Sequence, residues 1–445
     1  MRPWVRILTP FLTICLTLTV PAPAMATPAI QEARLANGLR ILLIEAHNVP
    51  MVAMRLSLPA GSRFDPAGHD GAASLLAATL TDHTAKHGHA AWADRLDAQA
   101  IRLSSGSSRD ALSISLLTLK ETLPGALDDL AEAALAPGWD GKRFAQMRDD
   151  AVAAARKSLE QPEVRASAAA VAMVYAQHPY GHRPAGSVAG LAHVTMADMQ
   201  AIYDAQCRPG GAVLAVSGDV TMAELKPMLA ARFGRWHGKP NQPLYGIAAA
   251  TAAVPGQAHI AMPTRQMTVM LIRQGIGRRS ADLFPLLVMN HILGGGGFAS
   301  RLMNEVREKR GLVYGIYSYF EPLAVPGPFV INLQTRADQA GEAVAVTRRV
   351  MQRMQQGHIS AAELAAAKDN LAGSFAQRID ENHKRVALMS MIGLYGLPLD
   401  YLQVWTSKID SVSLADVKRV AAAYLDPAAW SLVEVGPEPR GKNAP

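Results

Sequence analysis

Two kinds of apolar spacing alternate along the chain. Residues 39–44, 51–58 and 112–119 carry the short-period pattern of strands, the first two joined by a polar turn over 45–48. Helical spacing predicts a helix over about 71–80 and longer alanine-rich helices over 125–135 and 144–159. A parallel series follows: a strand over 268–274, a helix over 283–293, a short helix over 299–309, and strands over 312–320 and 328–335. Helices over about 340–355, 360–377 and 383–394 complete it. Hairpins mixed with helices predict an α+β protein with mostly antiparallel sheets covered by helices, and disfavour a doubly wound parallel sheet.

The second series repeats the first. Val194-Thr195-Met196-Ala197-Asp198-Met199 returns as Val412-Ser413-Leu414-Ala415-Asp416-Val417. At the same offset Pro209 matches Pro427, Leu214 matches Leu432, and Gly218 matches Gly436. In each copy a Thr or Ser caps a helix that runs to a proline-marked turn and a short strand, over 212–216 or 430–435. A match held without a gap over about 25 residues predicts two domains of one fold. They are expected over 27–237 and 259–445, joined by a Pro-, Gly- and Ala-rich linker over 238–258. The length of 445 residues is itself too great for one hydrophobic core.

Composition narrows the class. With 49% hydrophobic and 18% charged residues the chain is of ordinary globular type. Arg2 and Arg6, an apolar run over 7–20 and the small-x-small site Ala24-Met25-Ala26 predict a signal peptide over 1–26, its apolar part too short to span a bilayer comfortably. A periplasmic or secreted protein is expected, with no membrane contact after cleavage. The formal charge of +7 becomes +5 when Arg2 and Arg6 leave, and no Lys/Arg-rich block remains to suggest a nucleic-acid partner. Cys15 leaves too. Cys207 then stands alone, which excludes an intrachain disulfide and a thiolate metal cluster and predicts a small buried thiol.

Candidate chemistry concentrates over 294–320. Gly294, Gly295, Gly296 and Gly297 predict a backbone that another chain can approach closely. The helix that follows has Leu302, Met303 and Val306 on one face and ends at Gly311. Arg307 falls in its last turn, and Tyr314 near the start of the next strand. The turn at Gly311 folds these segments together, so a guanidinium and a phenol converge. Such a pair suits a peptide carbonyl, or the oxyanion formed when that carbonyl is attacked. A plainer account stands beside it: a cation in a last turn is favoured by the helix dipole, and a strand tyrosine commonly packs. Asp82, His83, His87 and His89 cluster in sequence, but Gly88 and the polar context predict a surface loop.

Two such halves and this Arg/Tyr pair resemble the pitrilysin/insulinase family of metallopeptidases over nearly the whole mature chain. The sharpest matches are the glycine run leading into Arg307-Glu308-Lys309-Arg310-Gly311-Leu312-Val313-Tyr314, and His178-Pro179-Tyr180-Gly181-His182-Arg183-Pro184, with support from Asn37-Gly38-Leu39. The resemblance implies two αβ halves closing like a clam shell around a peptide. It also implies an inverted zinc motif, His-x-x-Glu-His, on a helix of the first half, with a further Glu downstream. Two His at i and i+4 with a carboxylate leave zinc an open position for water, and the intervening Glu takes that water's proton.

This chain departs from the pattern. Where the family has His, Glu and His, it has Ser74, Ala77 and Ala78. The downstream stretch is Ala151-Val152-Ala153-Ala154-Ala155, with Asp149 and Asp150 nearby but out of register. The chain should therefore bind no catalytic zinc and hydrolyse no peptide alone. The resemblance then implies the non-catalytic member of a heterodimer, lending Arg307 and Tyr314 to a zinc-bearing partner while Gly294–Gly297 admit the peptide substrate. Whether the chain alone is a monomer or a homodimer is left open by the sequence. A structural or peptide-binding scaffold is the alternative.

Overall fold

The computed structural model describes residues 28–438. The predicted signal peptide lies outside them. The first half runs β1 (Gln31–Arg34), β2 (Arg40–Glu45), β3 (Met51–Leu58), α1 (Ala72–Asp82), α2 (His89–Ala98), β4 (Arg102–Ser107) and β5 (Leu112–Leu119). Helices α3 (Leu123–Leu135), α4 (Gly141–Ser158), α5 (Pro162–Tyr175), α6 (Val188–His193) and α7 (Met196–Gln206) lead to β6 (Val213–Gly218) and α8 (Met222–Phe233). The second half runs β7 (Gln257–Ala261), β8 (Gln266–Gln274), α9 (Leu283–Asn290), β9 (Val313–Phe320) and β10 (Pro328–Arg336). It closes with α10 (Ala340–Gln355), α11 (Ala361–Ser374), α12 (Asn382–Tyr395), α13 (Tyr401–Asp410), α14 (Leu414–Tyr424) and β11 (Ser431–Gly436).

The repeat is visible in the sheets. Their strand orders are β1-β2-β6-β3-β5-β4 and β7-β11-β8-β10-β9, so the second reproduces the first without β1. Within each, only the β2–β6 and β11–β7 pairs are parallel. The repeated helix starts match as well: Thr195 with Asp198, and Ser413 with Asp416, form reciprocal capping boxes.

One expectation about the halves needs correction. The helix predicted over 383–394 does not complete the second half's own layer. As α12 it lies across β2, β3 and β6 of the first sheet, while α5 lies across β8 and β11 of the second. Each half thus lends a helix to the other. Gly393 allows the close approach, since a Cβ there would stand 2.5 Å from Val213 and 2.9 Å from Leu42. Val386, Met389 and Ile392 share a core with Leu42, Ala53 and Ala215 of the first sheet. Val171 and Val174 of α5 pack with Met270, Ile272 and Val433 of the second. Amphipathic spacing says that a helix buries a face, but not whose sheet receives it.

A buried polar hub ties the crossing together. Asp110, between β4 and β5, accepts hydrogen bonds from Tyr180 Oη at 2.5 Å, Tyr395 Oη at 2.9 Å and the Ala324 amide at 2.7 Å. Arg63 lies 3.7 Å away and donates to the carbonyls of Leu244 and Pro243, pinning the stretch expected as a linker. Strand β7 begins inside that stretch, at Gln257.

Candidate functional site

In the second half the glycine run is the hinge of the site. After α9 the backbone widens into a π turn over His291–Gly295, then a 3-10 turn over Gly297–Ala299. The helix predicted over 299–309 is instead a short helical start running into a second π turn, Met303–Glu308. Leu302, Met303 and Val306 are all buried along it. It ends at Gly311, in the left-handed region at φ +62°, whose amide donates to the Arg307 carbonyl at 2.7 Å. Leu312 then donates to the Val306 carbonyl at 3.1 Å, and β9 leaves at once. This hairpin-like closure sets Arg307 and Tyr314 side by side.

The Arg307 guanidinium carbon is 5.9 Å from the centre of the Tyr314 ring and 4.9 Å from that of Phe298. Glu308 pairs with the same guanidinium. Tyr314 is 88% exposed and Phe298 68%, so the stacked trio projects from the domain where another molecule can meet it. The sheet order places β9 at an edge, and Tyr317 and Tyr319 continue its exposed aromatic row. Phe298, Tyr317 and Tyr319 were not among the residues singled out from sequence. A large apolar side chain directly after a glycine run is a signal that could have found Phe298.

The four glycines divide. A Cβ on Gly294 would stand 2.7 Å from the Ser318 amide, on Gly295 2.6 Å from the Asn290 side chain, and on Gly296 2.7 Å from the His291 carbonyl. These three let the chain fold tightly on itself, with Gly294 buried, Gly295 still exposed and Gly296 half-buried. Asn290 completes that closure by accepting from Ser318 Oγ at 2.7 Å and donating to the Ser318 carbonyl at 3.2 Å. Gly297, at φ +59° with nothing within 4 Å of its would-be Cβ, is the one that faces open space.

In the first half, α1 is the helix on which the zinc motif was expected. Asp65 accepts from the amides of Gly71 and Ala73, each at 2.7 Å, and so caps α1. Burial pushes its carboxyl up to about 6 even against those two bonds. Along α1, Ser74 is half-buried, Ala77 buried and Ala78 exposed, on a groove of about 700 Å³ bordered by β4 and Met147 of α4. A hydroxyl and two methyls offer no ligand set for zinc and no base, so the donor chemistry does not fit the ion. The rim of the groove is occupied by an ion pair: Arg143 Nε and Nη2 donate to Asp82 at 2.7 and 2.5 Å. Although burial opposes it, the bonds from Arg143 and His83 hold the Asp82 carboxyl below its ordinary range.

The nearby histidines divide between two carboxylates. His83 and His89 each meet Asp82, at 2.9 and 3.0 Å, whereas His87 turns to Glu132 at 2.8 Å. Among the described residues no group of three or more His, Cys, Asp and Glu is disposed to hold a metal. The other sequence matches have structural work. Tyr180 bonds Asp110, His178 meets the Ala248 carbonyl at 3.0 Å, and Asn37 donates to the carbonyls of Phe233 and Trp236 at 2.7 and 2.9 Å. Cys207 is buried, and burial pushes its thiol up to about 12.

Residues 40–183 match the family model described as insulinase, peptidase family M16, and residues 193–371 match the one described as the peptidase M16 inactive domain. A crystal structure of a peptidase M16 inactive domain from Pseudomonas fluorescens superposes with a TM-score of 0.86 at 30% identity, covering 92% of this chain and 98% of that one. The chain belongs to the insulinase family. Among relatives of this insulinase-family chain, a non-peptidase homolog YmxG of Helicobacter pylori is 24% identical over 410 residues, 91% of this chain and 92% of that protein. An uncharacterized zinc protease of Mycobacterium tuberculosis is also 24% identical, over 429 residues, 96% and 97% of the two chains. The relatives' names thus span both kinds. Helix α1 places this chain with the non-catalytic members of the family.

Proposed function

We propose that this chain is the substrate-binding subunit of a heterodimeric peptidase, supplying Arg307 and Tyr314 to the active site of a zinc-bearing partner of the same family. The observation that carries the reading is the convergence of these two side chains on an exposed face, at the edge of a sheet, in a chain whose own α1 has no metal ligand at Ser74, Ala77 or Ala78. The partner's zinc supplies the hydrolytic chemistry. Here the guanidinium and phenol would grip the scissile carbonyl and donate to the oxygen as charge gathers on it. Gly297 leaves room for the peptide backbone. The setting is the periplasm or the exterior, following the signal peptide expected over 1–26.

Removal of one oxyanion donor costs on the order of 100-fold in turnover. Tyr314→Phe and Arg307→Ala should therefore depress peptide cleavage by the reconstituted complex to that degree while leaving its assembly intact. Unaltered cleavage by both variants would refute the assignment. A scaffold that binds peptide without aiding hydrolysis is the second reading, and the loss of the zinc-handling side chains suits both alike. Co-purification separates the two, since the first requires a partner bearing His-x-x-Glu-His that holds all the zinc of the complex. In the absence of that partner, the exposed row of Phe298, Tyr314, Tyr317 and Tyr319 favours self-association.

A further inference from the structure

A second site lies where the two halves cross, sharing only Gly106 with the groove along α1. Between the first sheet and the borrowed helix α12 is a cavity of about 280 Å³. Its floor is Arg55, in the middle of β3, flanked in register by Ser115 of β5 and Ala215 of β6. The half-buried guanidinium donates to Ser113 Oγ at 2.9 Å, and it makes no ion pair among the described residues. Burial alone pushes its pKa down, the direction expected of a cation drawn out of water without a countercharge. Around it stand the hydroxyls of Ser57, Ser107, Ser108 and Ser390, and the lining contains no carboxylate. The opposite wall is apolar, made by Met391 and Leu394 of α12.

A planar fork of donors matches a carboxylate, and the apolar wall matches a hydrocarbon body attached to it. We propose that this cavity binds a small carboxylate with an apolar side chain, either a free acid or the C-terminal residue of a peptide. Arg55 takes the carboxylate and α12 takes the side chain. The site stands on Arg55 and is independent of the role proposed for Arg307 and Tyr314.

The test is calorimetric titration of the full chain with N-acetyl-leucine, N-acetyl-leucine amide, inorganic phosphate, and one leucine-ended peptide in free and amidated forms. N-acetyl-leucine should bind at least about tenfold more tightly than its amide, because a charged hydrogen-bonding partner is lost. Arg55→Gln should remove that preference. Binding of the free-ended peptide but not its amidated form would identify a peptide terminus as the source; binding of N-acetyl-leucine with neither peptide would identify a free acid. Should Arg55→Gln fail to fold, Ser107→Asp on the hairpin rim brings a like charge to the mouth and should weaken N-acetyl-leucine by a similar factor. Equal affinity for acid and amide, phosphate binding as tight as N-acetyl-leucine, or indifference to both substitutions would each overturn the proposal.

Discussion

Replacing Asp110 with alanine should destabilise the protein by about 3–5 kcal/mol, the cost of breaking a buried charge pair by removing one member. The magnitude follows from what the carboxylate serves. It is fully buried, and it accepts three hydrogen bonds at 2.5, 2.9 and 2.7 Å, from Tyr180, Tyr395 and the Ala324 amide. A bond to a charged group is worth roughly 1.5–3 kcal/mol net. Removal would strand both phenols, while the Arg63 side chain, 3.7 Å away and 1% exposed, would lose its neighbouring charge. Tyr395→Phe removes one donor and leaves Asp110 with two, so about 1.5–3 kcal/mol is expected. Urea unfolding followed by tryptophan fluorescence measures both. Because Tyr180 and Tyr395 come from opposite halves and share one acceptor, the double Phe variant should depart from additivity by at least about 0.5 kcal/mol. A loss below about 1 kcal/mol for Asp110→Ala, no more than an ordinary substitution costs, would show that the hub does not hold the halves together.

Other perturbations distinguish the glycines and the surface charges. Gly294→Ala forces a methyl against Ser318 and should cost about 1–3 kcal/mol in urea unfolding, whereas Gly297→Ala meets only the left-handed backbone penalty of about 1–2 kcal/mol. The bidentate bond from Arg301 pulls Glu363 down to about 2, so its contribution is present above pH 4.5 and is lost as pH falls toward 2. Solvent screening at this partly exposed pair limits that loss to about 1 kcal/mol or less, and Arg301→Met should flatten the acid limb of the stability profile correspondingly. Cys207 should resist a thiol reagent at pH 8 in the native protein and react on unfolding, as a buried thiol held near 12 requires.

Most of the architecture was legible because the repeat is written twice: the Thr195 and Ser413 caps fix equivalent helix starts, and the strands that follow occupy equivalent places. The loss of zinc chemistry was legible at three residues of one helix. The convergence of Arg307 and Tyr314 followed from a glycine between a helix and a strand. Other features left weaker traces. Strand β4 reads Arg-Leu-Ser-Ser-Gly-Ser, too polar for its alternation to stand out, although its register with β5 is regular. The π turns escaped notice because helical spacing predicts three to four residues per turn, and the buried trio Leu302, Met303 and Val306 satisfies either winding. Glycine composition cannot say which face of the backbone is crowded. Three of the four proved to be packed against Asn290, His291 and Ser318 of their own domain.

The borrowed helices also constrain how the molecule can be made. During synthesis the first sheet is complete once β6 has emerged, but the helix that roofs its inner face is still far from translation. Leu42, Ala53 and Ala215 stay wet until α12 arrives, so the amino-terminal half cannot reach its native state ahead of the rest.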